Sequence, residues 1–65
     1  MKQIGNLAIV CAGRPDVWME TGGGGVLEVH VRTEYETIDY VMDWDDDKKI
    51  SEIVRELNFG RHARK

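Results

Sequence analysis

The sequence predicts a small α+β domain with the order α-β-β-β-α, a three-stranded antiparallel meander sheet covered on one face by two helices. Two observations lead to this prediction. Apolar residues recur at helical spacing near both ends of the chain, whereas the middle alternates apolar and polar residues with a period of two. Both connections between strands are short, as antiparallel neighbours allow. A chain of 65 residues has room for one domain, spanning residues 1–65.

Residues 2–12 are predicted to form the first helix. Between Ile4 and Cys11 apolar side chains recur at spacings of three and four, which places them on one helical face. The apolar run 7–12 would also fit a buried strand, and the way the segment ends decides between the two. Gly13, with a proline two residues later, is typical of a helix C-terminus.

Three strands are predicted in the middle of the chain, at residues 16–21, 26–33 and 37–44. The second shows the clearest alternation, since leucine and valine alternate with glutamate, histidine and arginine. Four glycines, Gly22–Gly25, separate the first two strands and predict a flexible hairpin loop. They lack the ending of a phosphate-binding loop. Residues 34–36 predict a polar turn.

The last helix is predicted from apolar residues between Ile50 and Leu57, which recur at helical spacing. Asp45 or Asp46 is expected to cap its N-terminus, because a carboxylate accepts from the unpaired N–H groups of the first turn. Gly60 stands where a helix-ending glycine is common.

The predicted core consists of the apolar residues that share the inner faces of these elements. They are Ile4, Leu7, Cys11, Val17, Met19, Leu27, Val29, Val31, Ile38, Tyr40, Met42, Ile50, Ile53, Val54 and Leu57.

Charge is distributed unevenly along the chain. The net charge is -3, yet the segment Glu28–Asp47 contains eight acidic residues and a single base, Arg32. Carboxylates on alternate strand residues stand about 6.6–6.8 Å apart, close to the spacing of phosphates along a nucleic-acid strand. An acidic strand face therefore has the pattern of a surface that occupies a basic groove. The alternative is a solvated sheet face followed by an acidic helix N-terminus.

The candidate partner-binding residues are acids of this segment together with a tryptophan that the alternation places on the polar face, where it is expected to be exposed. They are Glu28, Glu34, Glu36, Asp39, Asp43 and Trp18. We expect Asp39 and Asp43 to be replaceable by asparagine without loss of the fold, since neither caps the last helix.

Two function hypotheses follow from the charges. The first is a non-enzymatic, acidic protein-binding module, an inhibitor that occupies the basic nucleic-acid groove of a host enzyme, as anti-CRISPR and anti-restriction proteins can. In length and acidity the chain is similar to small accessory proteins of phages and other mobile elements. The alternative is a nucleic-acid-binding or regulatory module that uses the basic C-terminal end, Arg61–Lys65. The thin core, the uncovered sheet face and Trp18 together also predict a homodimer.

No catalytic, cofactor-binding or metal site is predicted. The only serine, Ser51, has no histidine near it in sequence. Cys11, His30 and His62 are not at ligand-pair spacing, and His30 is expected to face solvent. The aspartates before the last helix have the D-x-D-x-D spacing of a calcium loop, but a lysine and a valine replace its defining glycine and glutamate.

The chain is expected to be cytoplasmic and to bind no membrane. A single cysteine fits a reducing compartment, and the longest apolar run, residues 7–12, is far shorter than the ~20 residues of a membrane span. A lipoprotein signal ending at Cys11 is the alternative, weakened by a short apolar run behind a single lysine.

Overall fold

A computed structural model describes residues 2–63 and contains two helices and three strands. Helix α1 spans Lys2–Ala12 and helix α2 spans Asp47–Asn58; strands β1, β2 and β3 span Val17–Thr21, Val26–Arg32 and Thr37–Asp43. The predicted α-β-β-β-α order is therefore confirmed. All three strands are one residue shorter than predicted, at the start of β1 and at the ends of β2 and β3.

The strands form an antiparallel sheet in the order β1-β2-β3, so that β2 is central. His30 in the middle of β2 pairs with Trp18 of β1 on one side and with Asp39 of β3 on the other. Because side chains alternate along a strand, these three residues lie on the same face of the sheet. Their immediate neighbours in sequence lie on the opposite face, against the helices.

The core lies between that inner face and the two helices, which also pack against each other. Nine of the fifteen predicted core residues are buried, and five more are half-buried and pack against them. Ile38 is half-buried but is not among those five, whereas Val10, which was not predicted, also packs against the buried cluster. Each large apolar side chain buried in this way contributes about 1.5–3 kcal/mol. The buried cluster consists of Leu7, Val17, Leu27, Val29, Val31, Met42, Ile50, Ile53 and Leu57.

Arg14, in the loop after α1, contacts both the end of α2 and the residue that precedes β1. Its guanidinium forms an ion pair with Asp16 at 2.8 Å and donates to the carbonyl of Leu57 at 2.8 Å. A cation at this position is favourable, because the last carbonyls of a helix carry partial negative charge.

Both ends of α2 have local stereochemical causes. Asp46 Oδ1 accepts from the N–H of Lys49 at 3.2 Å, which confirms Asp46 as the N-cap. The chain turns sharply after the helix at Gly60. A Cβ at Gly60 would lie 3.0 Å from the Cα of Glu56 and nearer still to its carboxylate, so the close approach of two backbone segments requires glycine there.

The glycine-rich loop is a 3₁₀ turn at Gly23–Gly25 that joins β1 to β2. Gly24 and Gly25 have φ angles of 74° and 81°, the left-handed region that side chains disfavour. Gly25 also accepts a hydrogen bond from the N–H of Trp44 at 2.9 Å, so the turn is joined to the end of β3.

Candidate interaction surface on the open sheet face

The face of the sheet opposite the helices has polar and charged side chains from all three strands. Since both helices pack on the other side, nothing among residues 2–63 covers it. We call it the open face. By the alternation of the strands it comprises Trp18, Glu20, Val26, Glu28, His30, Arg32, Thr37, Asp39, Val41 and Asp43.

His30 lies at the centre of the open face and is surrounded by carboxylates. Its Nδ1 donates to Asp39 Oδ1 at 2.6 Å, and its Nε2 lies 3.1 Å from Glu20 Oε2 and 3.2 Å from Glu28 Oε1. One carboxylate comes from each strand. The imidazole is only 12% exposed, so the expectation that His30 faces solvent was wrong. Asp39 lies directly opposite His30, Glu20 lies diagonally across from it, and Glu28 is two residues away on β2, so all three carboxylates can reach the ring.

These carboxylates raise the pKa of His30 above its ordinary value of 6.5. The largest cause is the hydrogen bond to Asp39, and the negative charges of Asp39, Glu20 and Glu28 act in the same direction. Partial burial acts the other way, because it disfavours the charged ring, but it is outweighed. The face therefore contains a histidine that favours the protonated state.

Trp18 covers one side of this arrangement. Its ring stacks on His30 with centroids 5.3 Å apart and an angle of 25° between the planes. The guanidinium of Arg32 lies 5.3 Å from the tryptophan ring, and the indole N–H donates to Glu20 Oε2 at 3.1 Å. Trp18 is half-buried rather than exposed, because the long side chains of its cross-strand neighbours pack over it.

The structure brings together only part of the predicted site. Glu28, Asp39 and Trp18 surround His30, and Asp43 lies further along β3 on the same face. Glu34 and Glu36 lie in the turn between β2 and β3, outside the open face.

Sequence reasoning missed Glu20 as a site residue because it precedes the acidic segment. The signal that could have found it is strand register, since Glu20 pairs with Glu28. Asp39 accepts a hydrogen bond from His30, so its replacement would change the surroundings of the ring as well as the surface charge. A test of the surface charge leaves Asp39 in place, because its contact with His30 is the shortest of the three carboxylate contacts.

A residue of the basic C-terminal segment Arg61–Lys65 is buried. His62 turns inward and is 9% exposed, and its Nε2 shares a hydrogen bond of 2.7 Å with the hydroxyl of Tyr40. Burial lowers the pKa of His62, and nearby Arg61 acts in the same direction. Arg61 remains exposed, whereas Arg64 and Lys65 lie outside the described residues.

The arrangement can present negative charge on an ordered platform. Among residues 2–63, no group of three histidine, cysteine or acidic side chains has the geometry to hold a metal ion. Glu20 and Asp39 leave 60% and 59% of their side chains exposed although they contact His30. Their free oxygen surface is therefore available to a cationic partner while their positions are held.

No protein-family model matches the chain, and neither a curated protein nor a solved structure is significantly similar to it. Within residues 2–63, neither α1 nor α2 has the length and apolarity needed to cross a bilayer.

Proposed function

We propose that this chain is a non-enzymatic protein-binding module whose open face contacts a basic surface of another protein. The observation that carries the proposal is the convergence of carboxylates from all three strands on one uncovered face, around the Trp18–His30 stack. His30, which favours the protonated state, and Arg32 offset only two of the four carboxylates on this face, and the remaining like charges oppose folding, so their presence is not explained by stability alone. A partner's lysine and arginine side chains would relieve that repulsion.

The Trp18–His30 stack adds a rigid centre to the proposed surface. Interfaces gain most of their affinity from a few ordered aromatic or arginine side chains surrounded by polar groups. Trp18 and Arg32 are already in contact here, so their side chains lose little freedom when a partner binds.

The narrower form of this proposal is an inhibitor that occupies the nucleic-acid groove of an enzyme, as anti-CRISPR or anti-restriction proteins can. Its support is the negative charge of the open face and not a phosphate-like spacing, because Asp39 and Asp43 of β3 are separated by Val41 and stand about 13 Å apart. Association of this kind should slow as salt rises, because the attraction between exposed charges is screened within about 8 Å at physiological ionic strength.

The proposal is tested by capturing partners from a host lysate and measuring their affinity for two double variants with the same charge change. Glu20→Gln with Glu28→Gln removes two of the four negative charges of the open face, while Glu34→Gln with Glu36→Gln removes two from the adjacent turn. We expect the first pair to weaken binding about tenfold, near 1.4 kcal/mol, and the second to change it little. Equal losses in both variants would show that net charge matters and the open face does not.

A nucleic-acid-binding module is the second candidate function. The observation in its favour is that Lys48, Lys49, Arg55 and Arg61 line a single groove beside α2. A gel-shift experiment with DNA and RNA at physiological salt separates the two candidates. A shift that Lys48→Gln and Lys49→Gln abolish would favour the second candidate and count against the first.

A further inference from the structure

The outer edge of β3 is open to an additional strand. β3 pairs with β2 on one side only, and no strand among residues 2–63 pairs with its other side. An open strand edge presents unpaired N–H and C=O groups that another chain can use.

The hydrogen bonds at both ends of β3 show which residues face that edge. The N–H of Thr33 donates to the carbonyl of Glu36, and the N–H of Trp44 donates to the carbonyl of Gly25. Hydrogen-bonded and non-hydrogen-bonded pairs alternate along an antiparallel ladder. It follows that Asp39, Val41 and Asp43 direct their N–H groups away from β2.

The opposite edge of the sheet, at β1, is less suited to strand addition. The same alternation, set by the bond from Gly22 N–H to the Val26 carbonyl, directs the N–H groups of Val17 and Met19 outward there. Those residues have their side chains on the inner face, where α1 packs against β1. At β3, by contrast, the outward-facing residues have their side chains on the open face.

A groove of about 710 Å³ runs beside β3, between this strand and α2. Tyr40 and Met42 line it from the strand, and Ile53 lines it from the helix. Uncharged side chains suit the groove, because most of its other lining residues are charged, with both signs present; they are Lys48, Lys49, Glu52, Arg55, Glu56 and Arg61. A strand added to β3 would direct every second side chain into this groove and the others onto the open face. Val41, which is 62% exposed, is the apolar residue of β3 on the open side.

We infer that the free edge of β3 binds an extended, basic segment of another protein as a fourth strand of the sheet. This inference rests on the proposed function and names the form of the partner. The carboxylates of Asp39 and Asp43 flank Val41, so the favoured segment has lysine or arginine at two positions separated by an apolar residue on the same face. Its intervening side chains enter the groove.

Charge opposes a second copy of this chain at the same edge. If two β3 strands paired antiparallel with Val41 opposite Val41, Asp39 of each copy would lie opposite Asp43 of the other. Like charges directly opposite are destabilising, so this edge favours a basic partner over itself.

The probe is a capped peptide with the core Lys-Thr-Val-Thr-Lys, and the control peptide carries glutamate in place of both lysines. Amide hydrogen exchange is followed residue by residue by NMR. At a free peptide concentration ten times Kd, exchange at the amides of Asp39, Val41 and Asp43 should slow about tenfold. Tyr40 and Met42, whose amides already face β2, should change little.

Two variants test the mechanism. Val41→Pro removes an outward N–H without removing a bond to β2 and should abolish peptide binding, whereas Thr21→Pro, at an exposed outward position of β1, should not. Circular dichroism confirms that both are folded. Should either proline variant fail to fold, Asp43→Lys replaces it: this change should weaken the lysine peptide and strengthen the glutamate peptide.

Binding of the lysine peptide with unchanged exchange at the three outward amides would overturn strand addition and leave the proposed function standing, since a contact on the open face needs no edge N–H. Equal binding of the lysine and glutamate peptides would also overturn the inference. A different result would contradict the proposed function: a captured partner that binds the variant with Glu20→Gln and Glu28→Gln as tightly as the wild type.

Discussion

Asp39 and Tyr40 are consecutive residues of β3, and each holds a histidine on a different face of the sheet. Asp39 accepts from His30 on the open face, and Tyr40 bonds to His62 on the helix side. Both imidazoles are largely shielded from solvent, yet their pKa values shift in opposite directions. The pKa of His30 is raised and the pKa of His62 is lowered.

The difference shows that neighbouring charges, and not burial alone, determine the pKa of a shielded imidazole. Around His30 the hydrogen bond and charge of Asp39 outweigh the cost of burial. Around His62 burial is the largest cause and Arg61 adds repulsion, against a smaller contribution from Glu56. Neighbouring charge therefore determines the direction of the pKa shift on the open face, whereas burial is its largest cause on the helix side.

The largest expected effect is a difference in stability between a substitution on the helix side and one on the open face. Leu57→Ala on the helix side should lower the free energy of unfolding by about 2–5 kcal/mol, because Leu57 is 1% exposed and its removal leaves a cavity. Val41→Ala on the open face should cost at most about 0.5 kcal/mol. Urea denaturation measures both, and similar losses would contradict the assignment of the core to the helix side.

Gly60→Ala should disturb the turn that brings His62 inward, at a cost of about 1–3 kcal/mol, because the added Cβ collides with Glu56. Gly23→Ala is the matched control, since a Cβ there meets nothing within 4 Å. Denaturant midpoints and the NMR signal of His62 report the result. An unchanged His62 signal in Gly60→Ala would show that the turn does not position the ring.

Tyr40→Phe tests the hydrogen bond on the helix side and should cost about 1 kcal/mol, since it leaves a ring nitrogen of His62 without its partner. Tyr35→Phe removes the same hydroxyl from a side chain that is 91% exposed and should be neutral. Thermal melts of the two variants compare them directly. Equal melting temperatures would show that the Tyr40–His62 hydrogen bond does not contribute to stability.

The smallest effect is the dependence of stability on pH, in which the two histidines oppose each other. His30 has a raised pKa, so its contribution is fully present below about 6.5, the pKa of an unfolded histidine, and is lost as pH rises through its folded pKa. His62 has a lowered pKa, so it favours the unfolded chain as pH falls below 6.5. NMR titration should find His30 protonated at higher pH than His62.

Single variants separate these contributions. His30→Gln should make stability fall more steeply on acidification, because only the opposing effect of His62 remains. His62→Gln should make stability rise as pH falls through the raised pKa of His30 and level off below about 6.5. Identical pH profiles for the two variants would contradict the opposite surroundings of the two rings.

Self-association stays a prediction. Sedimentation at micromolar concentration distinguishes a dimer from a monomer of 7.4 kDa. The half-buried position of Trp18 reduces the apolar surface that suggested it.

The sequence by itself determined the elements, their order and most of the core. Helical spacing of apolar residues and strict alternation are local patterns, and burial of one face follows from them wherever the chain folds. The cap of the last helix, at Asp45 or Asp46, and the glycine after its end could also be predicted from the sequence. The structural reason for Gly60 is its approach to Glu56 and not a left-handed backbone.

Only the tertiary structure decided what surrounds each histidine. The carboxylates around His30 depend on the register of three strands, and a shift of one residue in either pairing would direct them to the other face. His62 is buried because the chain turns back after α2 and reaches Tyr40, which is 22 residues earlier. Such contacts join residues far apart in sequence, so their geometry is set by packing and cannot be read from local periodicity.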